Sequence, residues 1–227
     1  MHSNKQTLSS LSMFQALDKT EMDKLENISN IQLFSKKSHI IMEGDSRDAV
    51  YFIHSGIVKI YTVDVLGNEN IIHYLRKDSM FPYSIFFVDD PYPVTAEVVE
   101  DAVVSALPIQ AFEQLLFENA ELAKYIIQIL SQRIHLLNNR IREFCANDVN
   151  LRIASLLIRL TEEHGIRHRN GILINLQLTH QEVAYMAGTT RESVNRLLNQ
   201  LKKNKTISIH NRKIMIHQIA DLHHFLL

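Results

Sequence analysis

The chain has one cysteine, Cys145, in 227 residues, and no tryptophan. A single thiol excludes an internal disulfide framework and suits a reducing compartment. It also cannot supply the four thiolates that commonly hold an iron–sulfur cluster, so no such cluster is expected. Glycine and proline are scarce at 6 and 4, and 46% of the residues are hydrophobic, a composition that describes a folded globular chain. No apolar run approaches the roughly 18 residues of a membrane span. The opening MHSNKQTLSS has neither the charged nor the apolar region of a secretory signal. The chain is therefore expected in the cytoplasm, with no membrane partner. It also lacks a Gly-rich phosphate loop, a metal-spaced cluster and a nucleophile motif. No catalytic residue and no metal site are expected, and the chain does not read as an enzyme.

The net charge is −1, and that average hides an asymmetry. Residues 1–148 carry 13 Lys+Arg against 20 Asp+Glu, whereas residues 149–227 carry 11 against 5, with seven His besides. One half repels a phosphate backbone and the other attracts it. Basic residues are missing altogether from Asp78 to Ala123, where nine Asp+Glu stand. Two domains are implied, with any nucleic acid on the second.

The most informative stretch reads LTHQEVAYMAGTTRESVNRLLNQLKK, from Leu178 to Lys203. Thr179 with Glu182, and Thr189 with Glu192, have the spacing of two capping boxes. Ala187-Gly188 gives a short turn between two helices, and small Ala184 stands where they would cross. At about 100° per residue, Val194, Leu197, Leu198 and Leu201 share one face of the second helix. Glu192, Asn195, Arg196 and Asn199 share another, with Arg191 at its edge and Lys202 and Lys203 at the end. A solvated helix has such a face too, but Arg, Glu and Asn are also the side chains that pair with guanine, cytosine and adenine edges. The coincidence of caps, turn glycine and polar face points to a helix-turn-helix that reads DNA.

Elsewhere the pattern divides the chain. Residues 8–29 hold a weak helical pattern with Leu11, Phe14, Leu17, Met22 and Leu25. Seven short β runs follow: Ile31–Phe34, His39–Met42, Val50–His54, Ile57–Val63, Ile71–Leu75, Val94–Val99 and Ala102–Leu107. Turn signals such as His54-Ser55-Gly56 separate several of them, as expected of a β-sandwich or jelly roll. Phe81, Tyr83, Phe86, Phe87 and Tyr92 either line a pocket for an apolar effector or fill the core. From Ala120 a long helical pattern runs through Ala123, Ile127, Leu130, Ile134, Leu137, Ile141 and Phe144. Its 3.5-residue spacing is that of a coiled-coil seam, most simply between two copies of the chain. Asn147 or Asp148 can cap the next helix, which carries Ile153, Leu156, Leu157 and Leu160 and ends near Gly165. A short strand at Ile172–Leu176 leads into the helix-turn-helix, and Thr206–His210 with Lys213–His217 form a hairpin about Asn211-Arg212. A hairpin there makes the winged variant. The expected fold is α+β: a β-roll sensor domain over 1–118, a dimerisation helix over 119–147 and a winged helix-turn-helix domain over 148–227.

This order resembles the Crp/Fnr family of bacterial transcription regulators over nearly the whole chain. The closest likeness runs from Thr179-His180-Gln181-Glu182 to Thr190-Arg191-Glu192-Ser193-Val194-Asn195-Arg196, similar to the family's T-R-Q-E…S-R-E-T-V-x-R. Asp148-Val149…Arg152-Ile153-Ala154 and the Gly44-Asp45 and Gly56 turns also match. The resemblance implies a homodimer on a palindromic double-stranded operator with TGTGA-like half-sites. It makes Arg191, Glu192 and Arg196 the base-reading positions, with Asn195 where members differ and His180 in place of a common phosphate-contacting Arg. Thr179, Gln181, Thr190, Lys202, Arg212 and Lys213 complete the expected DNA contacts. Ile127, Leu130, Ile134, Leu137, Ile141 and Phe144 complete the expected dimer seam. If the protein activates transcription, RNA polymerase is the implied partner.

The resemblance does not extend to the family's cyclic-nucleotide contacts. Ser79-Met80-Phe81-Pro82-Tyr83-Ser84 stands in place of the Gly-Glu-Leu turn, Tyr92-Pro93-Val94-Thr95 in place of the Arg-Ser/Thr pair, and Leu137-Asn138 in place of a Thr-Ser pair. A buried phosphate needs donors and preferably a cation, so cyclic AMP is not expected. Haem stays open through one of the 12 His, Cys145 reads as an ordinary thiol or a redox contact across a dimer, and the effector is unknown. The alternative function is a cyclic-nucleotide- or redox-responsive module that acts through a protein partner.

Overall fold

The computed structural model describes residues 8–15, 17–145 and 148–224, without the side chains of residues 139, 140 and 142–145. Two compact units emerge, Met1–Ile134 and His135–Leu227. The first begins with two 3-10 turns, Leu8–Ser10 and Ser12–Phe14, and helix α1 (Lys19–Ile28). Asp18 starts α1 with a capping box: its carboxylate accepts from the Glu21 N–H at 2.8 Å, and Glu21 accepts from the Asp18 N–H at 3.0 Å. Leu11, Phe14 and Leu25 are buried, so the expected apolar positions of this segment enter the core although the helix starts only at Lys19.

Six antiparallel strands follow: β1 (Asn30–Phe34), β2 (His39–Ile41), β3 (Ala49–Val63), β4 (Glu69–Leu75), β5 (Met80–Phe81) and β6 (Thr95–Pro108). They pair in the order β1-β6-β3-β4, with β2 added to β6 and β5 to β3. The turn expected at His54-Ser55-Gly56 is instead an irregularity inside one long strand. The register of β3 on β6 shifts between Ile53 and Ser55 and again before Val58. Gly56 has φ +89, and a Cβ there would lie 2.4 Å from the Asp101 carbonyl oxygen. Glycine thus bends the strand and lets β6 pass close, as at a bulge. The two runs expected at Val94–Val99 and Ala102–Leu107 likewise join as β6.

Both faces of β3 are covered along most of its length. Lys59 is only 7% exposed. Its ammonium donates to Glu69 at 2.7 Å and meets Glu97 at 2.8 Å, above the Tyr61 ring. Two carboxylates offset the desolvation of one buried cation. On the other side Phe52 packs edge-on against Phe14 and Phe112. Phe81 and Tyr92 belong to this core, so that part of the aromatic run fills the roll.

Helix α2 (Ile109–Glu118) and helix α3 (Ala120–Cys145) meet at Asn119, whose side-chain oxygen accepts from the Leu122 N–H at 2.9 Å. Helix α3 carries two apolar stripes. Leu122 and Ile126 are buried in the roll's core, with Tyr125, Ile129 and Leu130 packed against it. Ile127, Ile134, Leu137 and Ile141 are 62%, 58%, 47% and 60% exposed. A helix that only packed on its own domain would not have the second stripe. The side chains of Phe144 and Cys145, and all of Asn147, lie outside the described residues.

In the second unit, Asp148 caps α4 (Val149–His164) by accepting from the Asn150 N–H at 2.7 Å. The helix ends at Gly165, where β7 (Gly165–His168) begins. Next come β8 (Gly171–Ile174), α5 (His180–Ala187), α6 (Arg191–Lys203), β9 (Ile207–His210), β10 (Lys213–Ile216) and α7 (Ile219–His223). The expected hairpin is β9–β10, paired His210 to Lys213, with Asn211 and Arg212 at φ +50 and +62. Two successive positive φ values match the twist of a tight hairpin. It forms half of a four-stranded sheet, β7-β8-β10-β9, whose first strand was not expected.

Candidate nucleic-acid interface

Three helices fix the geometry of the second unit. Val194, Leu197, Leu198 and Leu201 are buried, as their spacing predicts, and they hold α6 against α4 and α5. Ala184 is fully buried at the α5–α6 crossing. Gly188 ends α5 in the left-handed region (φ 59, ψ 49), and its N–H reaches back to the Ala184 and Tyr185 carbonyls. The Thr189 N–H also donates to the Ala184 oxygen, at 2.9 Å. Arg152 of α4 supplies a side-chain contribution: its Nε donates to the Ala187 oxygen at 3.2 Å and its Nη2 to the Gly188 oxygen at 3.3 Å. A cation at these carbonyls also suits the negative end of the helix dipole. Arg152 belonged to the matched motif, but only the fold reveals this task.

Both helix starts carry threonine caps, one of them a residue away from its expected place. Thr179 and Glu182 form the predicted box: the Glu182 carboxylate accepts from the Thr179 N–H at 2.7 Å and from its hydroxyl at 2.8 Å. At α6 the cap is Thr190, not Thr189. The Thr190 oxygen accepts from the Ser193 N–H at 3.3 Å, while Thr189 is used in the turn. Glu192 therefore does not complete a box with Thr189. Its carboxyl is held below its usual range by its own backbone N–H, then by the Thr190 hydroxyl, with Arg191 adding to the effect. An ionised carboxylate at a helix start is electrostatically favoured.

The solvent-facing side of α6 presents Arg191, Glu192, Asn195, Arg196, Asn199, Lys202 and Lys203, all exposed. Asn199 donates to Asn195 at 3.3 Å, which holds the two amides together along the helix. Next to Arg191 lies a depression of about 480 Å³, lined by Leu178, Thr179, His180, Gln181, Arg191, Ile209 and Arg212. Five of the expected DNA contacts therefore share one recess. The wing is tied to it by the backbone, since the Leu178 N–H donates to the Arg212 carbonyl at 2.9 Å. Lys213 is placed differently: its ammonium donates to Asn175 at 2.6 Å from a half-buried position, apart from the depression.

The segment Tyr83–Asp89 has no cation of its own, but two reach it from other elements. Arg47 donates to the Ile85 carbonyl, to Glu113 at 2.8 Å and to Asp89 at 3.2 Å. Arg133 of α3 stacks on the Tyr83 ring and donates to its hydroxyl at 2.8 Å. Carboxylates thus already neutralise Arg47, and the residues present do not make a phosphate cradle. Tyr83, Phe86, Phe87, Phe117, Ile127 and Leu130 instead line a largely apolar depression of about 390 Å³. Among the described residues no group of three or more His, Cys, Asp and Glu could hold a metal, and no helix is long and apolar enough to cross a membrane.

The role of Arg152 is directly testable. Arg152→Ala should speed amide exchange at Thr189 by about 5–30-fold, the equivalent of ~1–2 kcal/mol for lost hydrogen bonds to a charged donor. Exchange in the roll should not change. Unaltered exchange at Thr189 would show that Gly188 alone holds the turn.

Known proteins share this architecture. The model of the cyclic nucleotide-binding domain matches residues 31–119, and that of the Crp-like helix-turn-helix domain matches residues 151–225. The chain is 34% identical over 194 residues to the global nitrogen regulator of Nostoc sp., which covers 85% of this chain and 87% of that one. It is 30% identical over 196 residues to the anaerobic regulatory protein of Bacillus subtilis, which covers 86% and 82%. Among solved structures, a CooA mutant from Carboxydothermus hydrogenoformans superposes with a TM-score of 0.75 over 98% of this chain and 96% of that one, at 22% identity. With its roll, its capped helix-turn-helix and these relatives, the chain belongs to the Crp/Fnr family of DNA-binding transcription regulators.

Proposed function

We propose that the chain acts as a homodimer that reads a palindromic operator through two copies of α6, and that its effector is not cyclic AMP. One observation carries the reading of DNA: α6 buries its whole apolar face and leaves Arg191, Glu192, Asn195 and Arg196 together in solvent. Arginine can donate twice to guanine O6 and N7, asparagine pairs with adenine, and glutamate accepts from the cytosine amino group. Arg191 and Arg196 are read as base contacts; Thr179, His180, Gln181, Thr190 and Arg212 are read as backbone contacts, with Lys202 at the helix end. Lys213 would have to leave Asn175 to join them.

The exposed stripe Ile127, Ile134, Leu137 and Ile141 supports the dimer, because water-exposed apolar residues at heptad spacing are what a partner helix covers. Two-fold symmetry then demands half-sites about one helical turn apart, roughly 34–36 Å. If the protein activates transcription, RNA polymerase is its further partner. The apolar depression beside Phe87 and Phe117 favours an uncharged effector over a cyclic phosphate.

Three measurements bear on this. Arg191→Ala and Arg196→Ala should each lose about 1–3 kcal/mol on the selected operator and relax preference at one base pair. Equal losses on operator and random DNA would make them phosphate contacts. Ile134→Asp should dissociate the dimer in analytical ultracentrifugation by placing a charge in a desolvated seam, and an unchanged sedimentation coefficient would refute the seam. Calorimetry with cyclic AMP should show no tight binding, and DNA affinity should not respond to it. A tight complex that raises DNA affinity would mean that Arg47 or Arg133 is released to the phosphate.

A further inference from the structure

His180 has a setting that an arginine at the same position would not share. It opens α5 half-buried, inside the depression formed with Gln181, Arg191 and Arg212. Such a recess, at the amino end of a helix, is suited to an anion. None of the described residues that line it is acidic. Arg191 and Lys202 act on the imidazole from α6, and Arg212 lines the recess from the wing. The nearby carboxylate on its own helix, Glu182, is turned back onto Thr179 and committed there at 2.7 and 2.8 Å. The recess therefore gathers positive charge and leaves a titratable group among it.

We propose that a DNA backbone phosphate seats in this recess and that His180 holds it as an imidazolium, taking up a proton from solvent as the complex forms. This rests on the DNA-binding reading above and adds a coupling to it. In the free protein burial lowers the His180 pKa, and Lys202 and Arg191 push it the same way, so the ring is neutral near pH 7. A phosphodiester against the ring has the opposite effect and favours the charged form. Affinity then rises as pH falls through the window between the free pKa, below 6.5, and the higher pKa of the complex. Outside that window it is flat. A permanently charged arginine would repel Arg191 and Lys202 before DNA arrives, whereas histidine acquires its charge only with the phosphate.

The test uses the full chain and an operator selected from random-sequence DNA, at fixed ionic strength. Dissociation constants are measured from pH 5.5 to 8.5, and binding heats near pH 7 in two buffers of different ionisation enthalpy. Wild type should gain up to about tenfold in affinity per pH unit for each recess, up to about a hundredfold for the two of a dimer, and near pH 7 take up a fraction of a proton per protomer. His180→Gln should lose that uptake and the slope. His180→Arg should also show no uptake, and relative to His180→Gln its log K against log salt should steepen by about 0.9 per protomer, about 1.8 for the dimer. Uptake that persists in His180→Gln belongs to another histidine and overturns the proposal, as does specific binding by wild type with no uptake. The DNA reading itself survives that last result. Failure of wild type to select any sequence would sink the DNA reading and the proposal together.

Discussion

The orientation of α6 depends on how the carbonyls at the end of α5 are satisfied. Those groups have no helical partner, and left unpaired away from water each would cost about 1–3 kcal/mol. Here the N–H groups of Gly188 and Thr189 return to Ala184 and Tyr185, and Arg152 takes the oxygens of Ala187 and Gly188. With the turn pinned, Ala184 allows close crossing and Val194 and Leu198 fill the space behind it. The polar face of α6 is outward as a consequence. One arginine of α4 thus helps to hold the turn that sets the outward face of α6.

The roll works by a different balance. It covers cations as well as hydrocarbon, Lys59 on β3 and Arg47 just before that strand, and each is matched by carboxylates. Lys59 lies between Glu69 and Glu97, and Arg47 between Glu113 and Asp89. The acidic excess of the first half is partly explained by these internal partnerships. The same partnerships leave little charge for an incoming phosphate.

How much was legible follows from the range of each signal. Val194, Leu197, Leu198 and Leu201 could be assigned because a helix face is a local pattern, and the Asn211-Arg212 hairpin because two residues set its geometry. Thr189 and Thr190 could not be separated, since both stand near the right spacing and only the path of the turn decides which hydroxyl meets Ser193. Gly56 signalled a break, but whether a glycine turns a chain or bulges a strand depends on β6, some 45 residues away. Lys213 looked like a free basic residue until Asn175 came beside it. The exposed stripe of Ile127, Ile134, Leu137 and Ile141 follows the period alone. The buried stripe of α3, through Leu122 and Ile126, was not legible, because nothing in the helix announces that the roll lies against it. The absence of basic residues from Asp78 to Ala123 was a true count, but it missed Arg47 and Arg133, which arrive from other parts of the chain.

One further consequence follows from the hydrogen bond between the Leu178 N–H and the Arg212 carbonyl. It joins the tip of the wing to the residue before the Thr179 cap of α5, so the wing and the entry to that helix share a backbone clamp. Neither the wing tip nor the entry to α5 can shift alone without breaking that bond. Parting them costs about one backbone hydrogen bond, roughly 0.5–1.5 kcal/mol, so the two move together by preference.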